Sequence, residues 1–146
     1  MLFYVVTLHF SHYHCKKKLR KFLYLAATIS WLIISIILLT LPSDDFPQEN
    51  WFDKIWLDKW VHIGMFAVLV LLGCLTWRAF QPGLDAKGLK RAFIITGIIG
   101  LVYGIIMEFV QMKFTNHRSF EIADIITDAV GCALGVIFST RRYIKK

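Results

Sequence analysis

The stretch that decides the fold is residues 92–128, AFIITGIIGLVYGIIMEFVQMKFTNHRSFEIADIITD. It opens as an apolar run long enough to cross a bilayer and ends among polar side chains. Gly97, Gly100, Gly104, Glu108 and Gln111 recur at spacings of three and four, so one helix face carries them all. A polar turn follows, with Arg118 and Ser119 in it. A second apolar run then opens with Asp124 and Asp128 four residues apart, continued by Gly131 and Gly135. Helices with small residues on their inward faces pack closely, within one chain or between two copies. Packing within the chain is the default here, because the polar ends must meet. Their shared end then carries Glu108, Gln111, Arg118, Asp124 and Asp128.

Outward from that stretch the membrane pattern repeats. Hydrophobic residues make up 57% of the 146-residue chain, well above the roughly 45–50% of soluble domains. Residues 22–41 are twenty without a charge, or about 30 Å of helix, the thickness of the hydrocarbon core. Pro42 and Ser43 stop that run. Further spans are expected over about 61–80, 92–112 and 122–140. Four such runs are hard to bury in water in so short a chain, and their continuous apolar character argues against alternating strands. The expected class is an all-α integral membrane protein, a four-helix transmembrane bundle with an additional short interfacial helix. That surface helix is expected at roughly 50–57, where Trp51, Phe52 and Trp56 interleave with acids.

The domain reading is an N-terminal cytoplasmic or interfacial segment at 1–21, a membrane domain at 22–140 and a basic tail at 141–146. Residues 1–14 are too short an apolar lead to span, and His9, His12 and His14 in or near it are weak evidence for a metal. Cys15, Cys74 and Cys132 form no CxxC pair, so neither a disulfide framework nor a thiolate zinc site is expected.

The formal net charge of +7 would suggest nucleic acid in a soluble protein, but here the cations flank apolar runs and no nucleic acid partner is expected. Thirteen Lys and Arg fall on one side (residues 16–21, 78–91 and the tail) and four on the other. Basic flanks stay cytoplasmic, so both termini are expected inside and the polar cluster outside. Residues 16–21 are expected to rest on anionic inner-leaflet lipid.

Three elements meet on that outer edge. The second span brings Asp58, Lys59 and His62, the third Glu108 and Gln111, and the fourth Asp124 and Asp128, just after Arg118 and Ser119. Such groups are costly against lipid and are expected to face inward in pairs, Arg118 with Glu108 or Asp124 and His62 with a carboxylate. The bland alternative is that they staple the helices together, with Asp124 capping its helix. The excess of acids points instead to a missing cation, in a ligand or as a metal. No cofactor is expected beyond a divalent ion, for which His62, Glu108, Asp124 and Asp128 are the candidates. In an enzymatic reading Arg118 would bind phosphate of a lipid phosphoester, but no HExxH, DxD or GxSxG motif is present, and Ser119 with His62 as base carries little weight.

These residues also resemble a known family. Asp58-Lys59 with His62 is similar to the DKxxH signature of VanZ-like membrane proteins. Glu108 and Gln111 resemble its ExxQ motif, Arg118-Ser119-Phe120 followed by Asp124 its RSF-then-D stretch, and Gly131 and Gly135 the glycines beyond. The likeness covers about residues 24–140. Asp128 stands where the family usually has Asn, and Asn116-His117 where it commonly has Pro-Gly. The resemblance implies a small multi-pass protein of the bacterial inner membrane, whose family namesake is linked to teicoplanin resistance without an established reaction. Some members are described as phosphotransbutyrylases, for which this sequence has no acyl-CoA or phosphate motif. The expected function is an outward-facing polar site for a cell-envelope or lipid-linked ligand. The alternatives are a metal-assisted hydrolase or transferase on phosphorylated lipid, and a purely structural role. Membrane lipids are the expected partners, and the oligomeric state stays open.

Overall fold

The computed structural model describes residues 2–40, 57–114 and 120–144, with side chains from residue 17 in the first stretch and from residue 58 in the second. Four helices account for nearly all of them: α1 (Leu2–Thr40), α2 (Leu57–Phe80), α3 (Ala86–Phe114) and α4 (Ile122–Tyr143). There is no strand among the described residues, and each helix contains a segment long and apolar enough to cross a membrane. The surface helix expected at 50–57 lies outside the described residues, except for Leu57, which opens α2.

The helices run past the spans read from hydrophobicity, and the ends have local causes. α3 starts at Ala86, six residues before its apolar run, because Asp85 caps it: the Asp85 carboxylate accepts the Gly88 N–H at 2.9 Å. The Leu89 N–H then donates to the Asp85 carbonyl, closing the first turn. α1 is continuous through the basic block, since Lys and Arg are good helix formers whose long stems keep their charges near water. At 39 residues it reaches about 58 Å, nearly twice the hydrocarbon thickness.

The bundle alternates in direction, so α2 and α4 run parallel and share the most extensive interface. Glycines make that closeness possible. A Cβ on Gly131 would lie 2.5 Å from the backbone oxygen of Ile63, and one on Gly135 2.8 Å from that of Ala67. α3 joins them from the opposite direction: Gly97 faces Val136, Gly100 faces Val70 and Cys132, and Gly104 faces Asp128. All five glycines singled out in the sequence thus lie on contacts between helices of one chain. Phe66, Val70, Cys74 and Phe93 fill the centre. Large aliphatic residues such as Ile98, Ile99, Ile106, Val130 and Ile137 point outward, as they do where the solvent is hydrocarbon.

α1 is attached differently. Only 11% of its span is buried, against 33% for each of the others. Hydrogen bonds at 28, 31, 35 and 39, one helix face, hold it. The Thr28 and Thr76 hydroxyls lie 2.9 Å apart. The Trp31 indole N–H donates to the Met65 carbonyl at 3.0 Å. The Ser35 and Tyr103 hydroxyls are 2.8 Å apart. The Gln111 side-chain amide donates to the Leu39 carbonyl at 2.7 Å. In lipid, packing and such bonds do what the hydrophobic effect does in water.

Candidate functional site

The site is built where α2 and α4 begin side by side. Their parallel run puts Lys59 and His62 next to Asp124 and Asp128, while α3 closes the third side. The Lys59 ammonium donates to three carboxylates: Asp124, Glu121 at 2.7 Å and Asp58 at 3.3 Å. One turn deeper, His62 Nδ1 lies 2.8 Å from Asp128 Oδ1. Burial grades from a rim to a floor. The Asp58 and Glu121 side chains are about half exposed, that of Asp124 is 8% exposed, and those of His62 and Asp128 only 3% and 2%. Phe66, one helical turn below His62 and fully buried, underlies the floor.

The floor depends on a missing side chain. A Cβ on Gly104 would stand 2.6 Å from Asp128 Oδ2, so only glycine on α3 leaves the carboxylate its place beside His62. Nδ1 is taken up by Asp128, so the other ring nitrogen is the one presented upward. That atom, Nε2, lies 3.9 Å from Asp58 Oδ1.

Most of the residues expected at this end do arrive there, though not all in one cluster. Asp58, Lys59, His62, Asp124 and Asp128 form a continuous network. Glu108 is buried nearby, but its carboxylate accepts the Glu121 backbone N–H at 3.1 Å and so ties α3 to the start of α4. Gln111 holds the end of α1. Arg118 and Ser119, and with them the pairing of Arg118 to Glu108 or Asp124, lie outside the described residues. His62 does pair with a carboxylate. Asp124 is not a cap: Glu121 occupies that position without a side-chain capping bond, and the Asp124 carboxylate turns to Lys59 instead.

The groups that could hold a metal also differ in detail from the set expected. Asp58, His62 and Asp124 offer ligand atoms all within 4.8 Å of one another. Asp128 supports the imidazole from behind, an outer-shell position common for histidine ligands, and Glu108 is engaged elsewhere. Glu121 was missed by reading the sequence. Its spacing of three from Asp124 puts both on one face of the incipient helix, which was the available signal.

The sequence profile of the VanZ/LLP1 family matches residues 1–143. The chain belongs to that family. The match takes in the N-terminal segment as well as the four spans. No curated protein and no solved structure matches the chain. This VanZ/LLP1 member is therefore a multi-pass helical membrane protein, consistent with residence in an inner membrane, and its activity must be argued from the site itself.

Proposed function

We propose that this VanZ/LLP1 protein presents its rim-to-floor polar site outward, to a cell-envelope or lipid-linked ligand. The observation that carries the reading is the buried His62–Asp128 pair beneath a half-exposed acidic rim. Ionisable groups at membrane depth are expensive, and a purely structural staple does not need a histidine nitrogen turned toward the opening. Nε2 and the rim carboxylates suit a ligand with hydrogen-bond donors or positive charge, with Lys59 as the group that must share its acids. The link of the family namesake to teicoplanin makes glycopeptide resistance the phenotype to assay. His62→Asn and Asp128→Leu are to be scored for bundle stability and for survival of producing cells on teicoplanin. Lost survival at retained stability supports the ligand site; losses that track unfolding alone favour the staple.

The orientation follows from the cationic side of the bundle staying cytoplasmic. Single cysteines replacing Asn50 and Lys145 test it: an impermeant thiol reagent is expected to label the former only, and the reverse pattern overturns the orientation.

A second reading is favoured by the Asp58, His62 and Asp124 ligand atoms within 4.8 Å of one another. A divalent ion there would polarise a phosphoryl oxygen or activate water, as a metal-assisted hydrolase or transferase on phosphorylated lipid requires. Titration of the purified protein with Mn²⁺ and Zn²⁺ decides: binding abolished by His62→Ala supports this reading, and no binding removes it.

A further inference from the structure

The end of the bundle away from this site carries charge of the opposite sign. The Arg78 guanidinium lies 4.7 Å from the centroid of the Tyr143 ring and that of Arg142 5.7 Å from the same ring. Arg141 is adjacent. Among the described residues none of these three guanidiniums has an ion-pair partner, and the nearby acid in sequence, Asp85, is committed to capping α3. One ring thus gathers two like charges, an arrangement that an anion would relieve. Beside them, an open, shallow stretch of the α4 surface is formed by Leu134, Ile137, Phe138, Arg141 and Arg142. These positions are spaced as one helical stripe, apolar for its first turn and cationic at the end of the helix.

We propose that this exposed stripe of α4 is a binding site for one phospholipid with an anionic headgroup, its phosphate on Arg141 and Arg142 and an acyl chain along Leu134, Ile137 and Phe138. The three apolar side chains are about half exposed on the outer surface of the bundle, where hydrocarbon is the neighbour. From 134 to 141 the stripe rises roughly 10 Å, which places the guanidiniums at headgroup level when the apolar residues lie among the chains. Arg supplies the planar fork that phosphate oxygens match, and its weak hydration suits the membrane boundary. A free phosphate would use the guanidiniums and leave the apolar wall idle, so the lipid is the better fit. The site is independent of whatever binds at the opposite end.

Native mass spectrometry of the full chain in detergent, titrated with phosphatidylglycerol or phosphatidylcholine, tests the proposal. The expected result is a retained phosphatidylglycerol, with phosphatidylcholine held at least about tenfold more weakly. Arg141→Gln with Arg142→Gln is expected to weaken phosphatidylglycerol by roughly tenfold or more, while the charge-matched pair Lys87→Gln with Lys90→Gln changes it by less than about twofold. Phe138→Ser is expected to weaken it with both arginines in place. The single variants Arg141→Gln and Arg142→Gln serve where the double variant does not fold. Equal weakening by the two charge-matched pairs would reduce the effect to diffuse surface charge. Displacement by inorganic phosphate, with no effect of Phe138→Ser, would make the site one for a free anion. Either result, or equal retention of the two lipids, overturns the proposal.

Discussion

At one end of the bundle, Lys59 and His62 meet Asp58, Glu121, Asp124 and Asp128 in side-chain pairs; at the other, Arg78 and Arg142 share the ring of Tyr143 and form no ion pair among the described residues. The first end pairs its charges internally, with acids in excess over Lys59 and His62, and its charges descend to nearly full burial. The second keeps its charges at the surface and leaves their neutralisation to the surroundings. Burial accounts for the difference. A charge held in low dielectric must have its partner built in, whereas one at the headgroup level can use lipid phosphate. The two ends should therefore respond differently to the loss of a single charge.

The largest effect is expected at the buried end. Lys59→Met leaves Asp124 without its cation and should lower bundle stability by about 3 kcal/mol. Adding Asp124→Asn should restore much of that loss, so reversible unfolding of the two singles and the double gives the coupling directly. Additive losses would mean that the pair is not the unit it looks to be. Next comes the packing that brings α2 and α4 together. Gly131→Ala forces a methyl to within 2.5 Å of the Ile63 carbonyl oxygen, a backbone atom that cannot swing aside, and should cost about 2 kcal/mol in the same assay. Gln111→Leu should cost only about 1 kcal/mol, and should loosen α1 alone, seen as faster amide exchange near Leu39. Smallest is Arg78→Gln at the cationic end, expected within about 0.5 kcal/mol of the parent. A loss there as large as that of Lys59→Met would erase the contrast between the two ends.

Much of this was legible in the sequence, and the gaps are instructive. The four helices follow from four apolar runs of membrane length, because hydrocarbon admits few other solutions. Their ends do not follow from hydrophobicity. Asp85 starts α3 by a hydrogen bond, and Lys16–Lys21 do not interrupt α1, since charge alone does not break a helix. The residues of the site were legible as types that cannot face lipid. Their partners were not, because spacing fixes the face of a helix and says nothing of what stands across from it. Gln111 shares a face with Glu108, yet one bonds α1 and the other the start of α4. Asp128 is one turn below Asp124, and that single turn moves it from the cluster's opening to a place behind His62. The structure of 115–119, with Arg118 and Ser119, lies outside the described residues.

The claim on which the rest stands is that α2 and α4 bring Lys59 against the acids that begin α4, and it can be read without altering the chain. Zero-length carbodiimide coupling in native membranes joins an amine to a carboxylate only where they already touch, with loss of water. Peptide mapping by mass spectrometry is predicted to find Lys59 joined to Asp124 or Glu121, and the linked peptide should vanish in Lys59→Met. A Lys59 that couples to neither, while amines elsewhere in the protein are linked, would contradict the site.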